Sequence, residues 1–158
     1  MSIAVFAGSF DPPSLGHLDI IKRACNIFSH LHVVIATNSE KRHLFSSEER
    51  LVLFKEILKD IRNVTVVTCD TLIVEYATKV GATTLVRGLR NIEDFSYEFD
   101  ISVLNKKLCS SIETIFLPTD PKYFAISSTA IKEFAKYNQD LSTLVPEPVI
   151  KALREKTK

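Results

Sequence analysis

Apolar residues fall along the chain in two alternating patterns. Five short runs, at 3–7, 32–36, 64–67, 84–86 and 113–117, are rich in β-branched residues and carry no regular polar alternation. Strands covered on both faces read this way. Between the runs, apolar positions recur at helical spacing. Leu18, Ile21, Cys25 and Phe28 step by 3, 4 and 3 along one face. Ser46 and Glu49 make a capping box before a helix that would bury Leu51, Phe54 and Leu58. Asp70 is placed to cap a third helix and Gly81 to end it. Ile92, Phe95, Phe99 and Val103 mark a longer fourth helix, and Ala130, Ile131, Phe134 and Ala135 a fifth. A sixth begins near Pro146 to Pro148. Strands alternating with helices predict right-handed crossovers and an α/β fold: a single-domain, doubly wound, parallel five-stranded sheet over residues 1–158. Ligands of such sheets sit at the carboxyl ends of the strands, so the useful residues should follow the strands.

Composition narrows the function classes. In 158 residues, 46% hydrophobic and 25% charged are globular values. Twenty Lys and Arg against nineteen Asp and Glu leave a net charge of +1. The chain as a whole is therefore no polyanion binder and no nucleic-acid partner is expected; affinity for phosphate must come from a few placed groups. Cys25, Cys69 and Cys109 lack paired spacing and read as free packing thiols in a reducing compartment. The chain opens without a basic region and long apolar stretch, and no run approaches the ~20 residues of a membrane span. A soluble, cytoplasmic protein without a membrane partner is expected.

Chemistry concentrates after the strands. The first run ends in Gly8-Ser9-Phe10-Asp11-Pro12-Pro13-Ser14-Leu15-Gly16-His17, with the first helix expected to start at about His17. Gly8 lets backbone approach a ligand, and a helix N-terminus offers free N–H groups to an anion. His17 at that mouth either donates to a phosphate oxygen or is a surface residue beside a cap. Arg87-Gly88-Leu89-Arg90 follows the fourth strand, placing two planar guanidinium forks where phosphate would sit; alone, it would read as a solvated basic turn. Ser127, Ser128 and Thr129 open the fifth helix after the aromatic segment Tyr123, Phe124, Ala125 and Ile126. Capping needs only one of the three hydroxyls, so a phosphate cradle beside a purine pocket competes with a simple cap. Lys41 and Arg42 follow the second strand, where a solvated loop is the other reading. His30, His32 and His43 lack ligand spacing, and no carboxylate pair suggests a metal cage.

The string Gly-x-Phe-Asp-Pro-x-x-x-Gly-His resembles the signature of the nucleotidyltransferase superfamily. With Arg87-Gly88-Leu89-Arg90, Tyr97-Glu98 and Ile126-Ser127-Ser128-Thr129-Ala130-Ile131-Lys132, the order and spacing resemble the bacterial phosphopantetheine adenylyltransferases over nearly the whole chain. The resemblance implies a Rossmann-like nucleotidyltransferase fold and transfer of the adenylyl group of ATP to 4′-phosphopantetheine. It implies that Ser9, Lys41, Ile73 and Arg87 bind the acceptor. Ser9, Phe10, His17, Gly88, Leu89, Arg90, Glu98 and residues Tyr123 to Thr129 would bind ATP. His17, Lys41 and Arg90 would be the catalytic group, Mg²⁺ would enter with ATP, and the assembly would be a homohexamer. Ser9 stands where threonine is usual, and Ile73 is as well explained by core packing. Four further positions depart from the family pattern: Ala7 for proline, Ser14 for threonine or histidine, a bulkier Leu15, and Lys132 for arginine. Lysine cannot donate bidentately, which puts a phosphate role for Lys132 in doubt. Two alternatives remain open: a nicotinate-mononucleotide adenylyltransferase, which shares the first motif but lacks Arg-Gly-Leu-Arg here, and a nucleotide-sensing module without turnover.

Overall fold

A computed structural model describes residues 1–37, 40 and 42–158. Five strands form one sheet: β1 (Ile3–Gly8), β2 (His30–Ala36), β3 (Val64–Cys69), β4 (Thr84–Leu89) and β5 (Glu113–Pro118). Their order is β3-β2-β1-β4-β5 and every pair is parallel. The helices are α1 (Leu15–Ile27), α2 (Ser47–Ile57), α3 (Ile73–Lys79), α4 (Ile92–Leu108), α5 (Ser128–Lys136) and α6 (Glu147–Lys156), with a 3-10 turn at Pro121–Tyr123. The doubly wound parallel sheet is the expected one. The chain winds outward from β1 to β3, then crosses back to β4 on the other side of β1. The switch point therefore lies between the carboxyl ends of β1 and β4, where Gly8 and Arg87-Gly88 emerge.

The central strands carry the burial. Residues 4–7 of β1 and Val33, Val34 and Ile35 of β2 are all buried, because helices cover both faces. One core layer gathers Phe6, Ile21, Leu31 and Phe54; the other gathers Val5, Val34, Val74 and Leu85. A third cluster, with Phe45, Ile126, Ile131 and Leu153, ties α5 and α6 to the start of α2. The edge strand β5 is only half covered, and its run at 113–117 opens with the polar pair Glu113-Thr114.

Three local expectations need correction. α1 starts at Leu15 rather than near His17, because the hydroxyl of Ser14 caps it by accepting from the His17 N–H. α3 is entered through Leu72 without a side-chain cap, so Asp70 is not its cap; Gly81 does end it, at φ 72°, where a Cβ would be strained. The largest correction concerns α4. Its apolar residues Ile92, Phe95, Phe99 and Val103 stay exposed, Ile92 at 84%; among them only Phe95 meets β5 by ring contact, at Phe116, and none of the helix's residues is buried. The half-covered face instead carries Asp94, Glu98, Ile101, Ser102 and Asn105. The polar face turns inward because it meets the two arginines of β4 and the turn that follows. The capping box at Ser46 and Glu49 is formed as expected, and α2 buries Phe54 and, at its C-cap, Leu58, while Leu51 is only partly covered. Cys25, Cys69 and Cys109 are free thiols; Cys69 is buried and the others are half-buried.

Candidate active site

A cleft of about 390 Å³ opens at the switch point. β1 and its loop supply Gly8 and Phe10, α1 supplies His17, and β4 with the following turn supplies Arg87, Gly88 and Arg90. α4 adds Asp94 and Glu98, and the start of α5 adds Ser127, Ser128 and Thr129, with Tyr123 and Ile126 before them. Elements far apart in sequence meet here because the strands that precede them all end on one edge of the sheet.

The floor is built around His17. Its Nδ1 accepts from the backbone N–H of Ser14 at 3.0 Å and lies 3.1 Å from the Ser14 hydroxyl. A backbone N–H can only donate, so Nδ1 is unprotonated and the ring proton resides on Nε2. In return the His17 N–H donates to Ser14 Oγ at 3.2 Å, a capping box with histidine in the place of glutamate. Burial and the nearby charge of Arg90 push His17 down to about 4. At neutral pH it is an uncharged donor whose orientation is fixed.

Phe10 holds that ring in place. Its side chain is buried and makes edge contacts with His17 and Phe54, both at 4.9 Å between centroids, and with Phe6 at 5.3 Å. The backbone at Phe10 has φ 50°, a left-handed conformation that costs roughly 1–3 kcal/mol in a non-glycine residue. The packed ring offsets that cost. A Cβ on Gly8 would stand 3.1 Å from the same ring, which accounts for glycine at the strand end.

Both arginines are clasped. Arg87 donates from Nε and Nη2 to Glu98 at 2.6 and 2.7 Å, and from Nη1 to the carbonyl of Ala7 at 2.7 Å. Arg90 donates from Nε and Nη2 to Asp94 at 3.0 and 3.2 Å, and from Nη1 to the carbonyl of Ile126 at 3.1 Å. Burial pushes the Asp94 carboxyl up, but these donors outweigh it and hold it below its ordinary range. Sequence reasoning left out Asp94, although its position four residues after Arg90 is an ion-pair spacing when both lie in or beside a helix.

Asp11 is a second residue whose role the sequence does not reveal. Its carboxylate is buried, accepting from the N–H groups of Leu44 and Phe45 at 2.8 and 2.9 Å and from Lys132 Nζ at 2.9 Å. Burial opposes its charge, yet these donors hold its carboxyl below the usual value. Lys132, where arginine is usual in the family, pairs with Asp11 through one of its three N–H groups. His43 Nδ1 lies 3.5 Å from the same carboxylate.

The other expected residues divide. Ser127 is the N-cap of α5, its hydroxyl accepting from the Ala130 N–H, so the hydroxyls of Ser128 and Thr129 are without that duty. Ser9, Leu89, Phe124 and Ala125 do not line the cleft; the Ser9 carbonyl accepts from the buried Arg50 at 2.6 Å, and Phe124 is 60% exposed. Of the segment 123–126, only Tyr123 and Ile126 line the cleft. Ile73 lies in an adjoining depression of about 200 Å³ that shares Ala7, Arg87 and Glu98 with the cleft. A third hollow, lined by Ala36, Thr37, Cys69 and Asp70, continues from Leu72 and Ile73. Lys41 lies outside the described residues, as does Asn38.

Comparison with known proteins agrees with this geometry. The sequence profile of the cytidylyltransferase-like family matches residues 5–134. A phosphopantetheine adenylyltransferase from Caldanaerobacter subterraneus subsp. tengcongensis is 51% identical over 158 residues, covering 100% of this chain and 99% of that protein. In fold, the chain is similar to the crystal structure of a putative nicotinate-nucleotide adenylyltransferase from Vibrio parahaemolyticus, with a TM-score of 0.73 over 99% of this chain and 95% of that one. Only 22% of residues are identical there, so that likeness speaks for the fold alone. The switch-point cleft, the sequence profile and the full-length identity lead to one assignment: the chain belongs to the cytidylyltransferase-like nucleotidyltransferases, in the phosphopantetheine adenylyltransferase family.

Proposed function

We infer that the protein transfers the adenylyl group of ATP to 4′-phosphopantetheine, giving dephospho-coenzyme A and pyrophosphate. The observation that carries this reading is His17, a neutral donor of fixed tautomer at a helix mouth, set beside clasped arginines and the serine turn. The acceptor's phosphate oxygen attacks the α-phosphorus in line, one P–O bond forms, and the bond to the β-phosphate oxygen breaks. That phosphate is already anionic at neutral pH, so the step needs no general base. Catalysis rests on alignment and charge stabilisation.

In this reading the Nε2–H of His17 meets the α-phosphate as its charge shifts. Arg90 and Ser128 hold the outer phosphates, with Ser127 contributing its hydroxyl proton while its oxygen caps α5. Arg87 and Lys41 hold the acceptor phosphate, and the depression at Ile73 takes the pantetheine arm. The two carboxylates lining the cleft, Asp94 and Glu98, are taken up by arginines, which fits a Mg²⁺ that arrives and leaves on the triphosphate.

We extend the reading to assembly and place. The outward apolar face of α4, with Phe95 and Phe99 at 42% and 49% exposure, supports a homohexamer, since a solitary chain would leave that face in water. Sedimentation showing only an 18 kDa species at micromolar concentration would refute it. Among the described residues no helix is long and apolar enough to cross a membrane, which suits a cytoplasmic enzyme of one domain. The deciding experiment incubates the protein with ATP, Mg²⁺ and either 4′-phosphopantetheine or nicotinate mononucleotide and measures pyrophosphate. Release only with phosphopantetheine is expected. Release with neither would leave a nucleotide-sensing module.

A further inference from the structure

Arg50 lies in the first turn of α2 with only 2% of its surface exposed. Among the described residues no carboxylate forms an ion pair with it; Asp11 and Glu48 attract it only from a distance. Its bonds go instead to two backbone carbonyls. Nε donates to Ser46 at 3.2 Å, at the start of its own helix, and Nη1 donates to Ser9 at 2.6 Å. A guanidinium withdrawn from water without a contacting counter-charge opposes folding, and a well-packed apolar residue would serve α2 better. The charge is therefore placed for what its arm reaches.

It reaches the turn after β1. The Ser9–Phe10 peptide is trans, so the Ser9 carbonyl and the Phe10 N–H point in opposite directions. With the carbonyl held by Arg50, that N–H is turned away from α2. Phe10 lines the cleft and neither Ser9 nor Arg50 does, so the far side is the cleft side. The Phe10 N–H donates to no described residue. Phe10 itself sits at φ 50°, a conformation its surroundings must hold, and its ring meets that of His17 at 4.9 Å.

We propose that Arg50 is a positioning residue for the nucleotide: reaching across from α2, it pins the Ser9 carbonyl and so presents the Phe10 N–H to phosphate beside His17. This rests on the reading that ATP fills the cleft with Phe10 among its contacts. Arg50 touches no substrate itself.

The test starts from the wild type. Hydrogen–deuterium exchange of the Phe10 amide should slow roughly tenfold with saturating ATP, the scale of one charge-assisted hydrogen bond. Arg50→Met removes both donors while keeping a long apolar side chain, and in it ATP should leave the Phe10 amide unprotected. Its kcat/KM for ATP should fall by roughly tenfold to a hundredfold, the cost of misplaced phosphate contacts, with the acceptor KM within about threefold. If Arg50→Met does not fold, Arg50→Lys takes its place and should show the same losses, since one ammonium cannot span both carbonyls as the fork does. Ser46→Ala is the control. It breaks the capping box of α2 but leaves the bond to the Ser9 carbonyl, so it should lower Tm and keep kcat/KM for ATP. A purely structural Arg50 would give a lower Tm with unchanged kcat/KM and equal ATP protection of Phe10 in variant and wild type; that result overturns the proposal. So does a Phe10 amide that ATP fails to protect in the wild type, or a Ser46→Ala as slow as Arg50→Met. A wild type in which ATP protects Phe10 but no pyrophosphate appears with 4′-phosphopantetheine would instead refute the transfer reaction, while the exchange comparison still decides the role of Arg50.

Discussion

Replacing His17 by Ala tests the floor of the cleft most directly. The substitution removes the Nε2–H donor and the acceptor for the Ser14 N–H, while the reciprocal bond from the residue 17 amide to Ser14 Oγ survives. Loss of one oxyanion-type donor costs roughly 10²–10³ in kcat, about 3–4 kcal/mol. ATP affinity should change far less, because Arg90 and the serine turn are anchored independently of His17. Losing half of the capping box should lower stability by about 1 kcal/mol. The pH behaviour supplies a second signature. His17 is held at about 4, below its ordinary 6.5, so the unfolded chain binds the proton more readily. Stability therefore falls as pH drops from about 6.5 towards 4, by up to about 1.4 kcal/mol per pH unit at the steepest. In His17→Ala that segment of the stability curve should flatten, and kcat of the wild type should show no His17 ionisation between pH 6 and 8. Steady-state kinetics and urea melts across pH read both effects. Near-normal kcat in His17→Ala would refute the assignment of the catalytic donor.

Other outcomes follow from the same geometry. Ser127→Ala should lower Tm, since it removes the α5 cap, whereas Ser128→Ala should weaken ATP binding with Tm nearly unchanged; calorimetry with and without ATP separates them. Asp11→Asn should cost about 2–3 kcal/mol in denaturant melts, because two oxygens that accept from separate N–H groups become one oxygen and one donor. The stability Asp11 adds through its lowered pKa is complete above about pH 3.8 and is lost as pH falls below it, so acid unfolding should shift upward in pH in weakened variants. Single replacement of Cys25, Cys69 or Cys109 by Ala should leave kcat and both KM values within a few-fold; a loss beyond tenfold in a folded variant would reveal a thiol role.

The fold was legible where one physical demand governed a segment. Runs such as 3–7 sit in the middle of the sheet and meet helices on both faces, so their hydrophobicity is unbroken. Ser46 with Glu49 closes a local box and needs nothing distant. What escaped was set by tertiary partners. Helical periodicity located α4 correctly but pointed its wrong face inward, since the pattern does not reveal that Arg87 and Arg90 wait beneath Asp94 and Glu98. Asp11 resembled any loop carboxylate because its donors, Leu44, Phe45 and Lys132, lie 33, 34 and 121 residues away. The cap of α1 was hidden by its chemistry: the third helical residue is histidine, whereas the familiar signal is glutamate or glutamine.

That cap makes the imidazole a bridge. Backbone amide, ring and bound anion form a relay: the Ser14 N–H points at Nδ1, and the proton on Nε2 is offered to whatever anion enters the cleft. Hydrogen bonds in such chains polarise one another. An anion drawing on Nε2–H enriches Nδ1 in electron density and tightens its grip on the Ser14 amide. Filling the cleft should thus knit the first turn of α1 more firmly. The Ser14 amide should exchange with solvent deuterium more slowly in the presence of ATP. The same turn would fray sooner in acid, where a proton on Nδ1 displaces the amide. The start of the helix and any grip on an entering anion would thus be two readings of one proton's position.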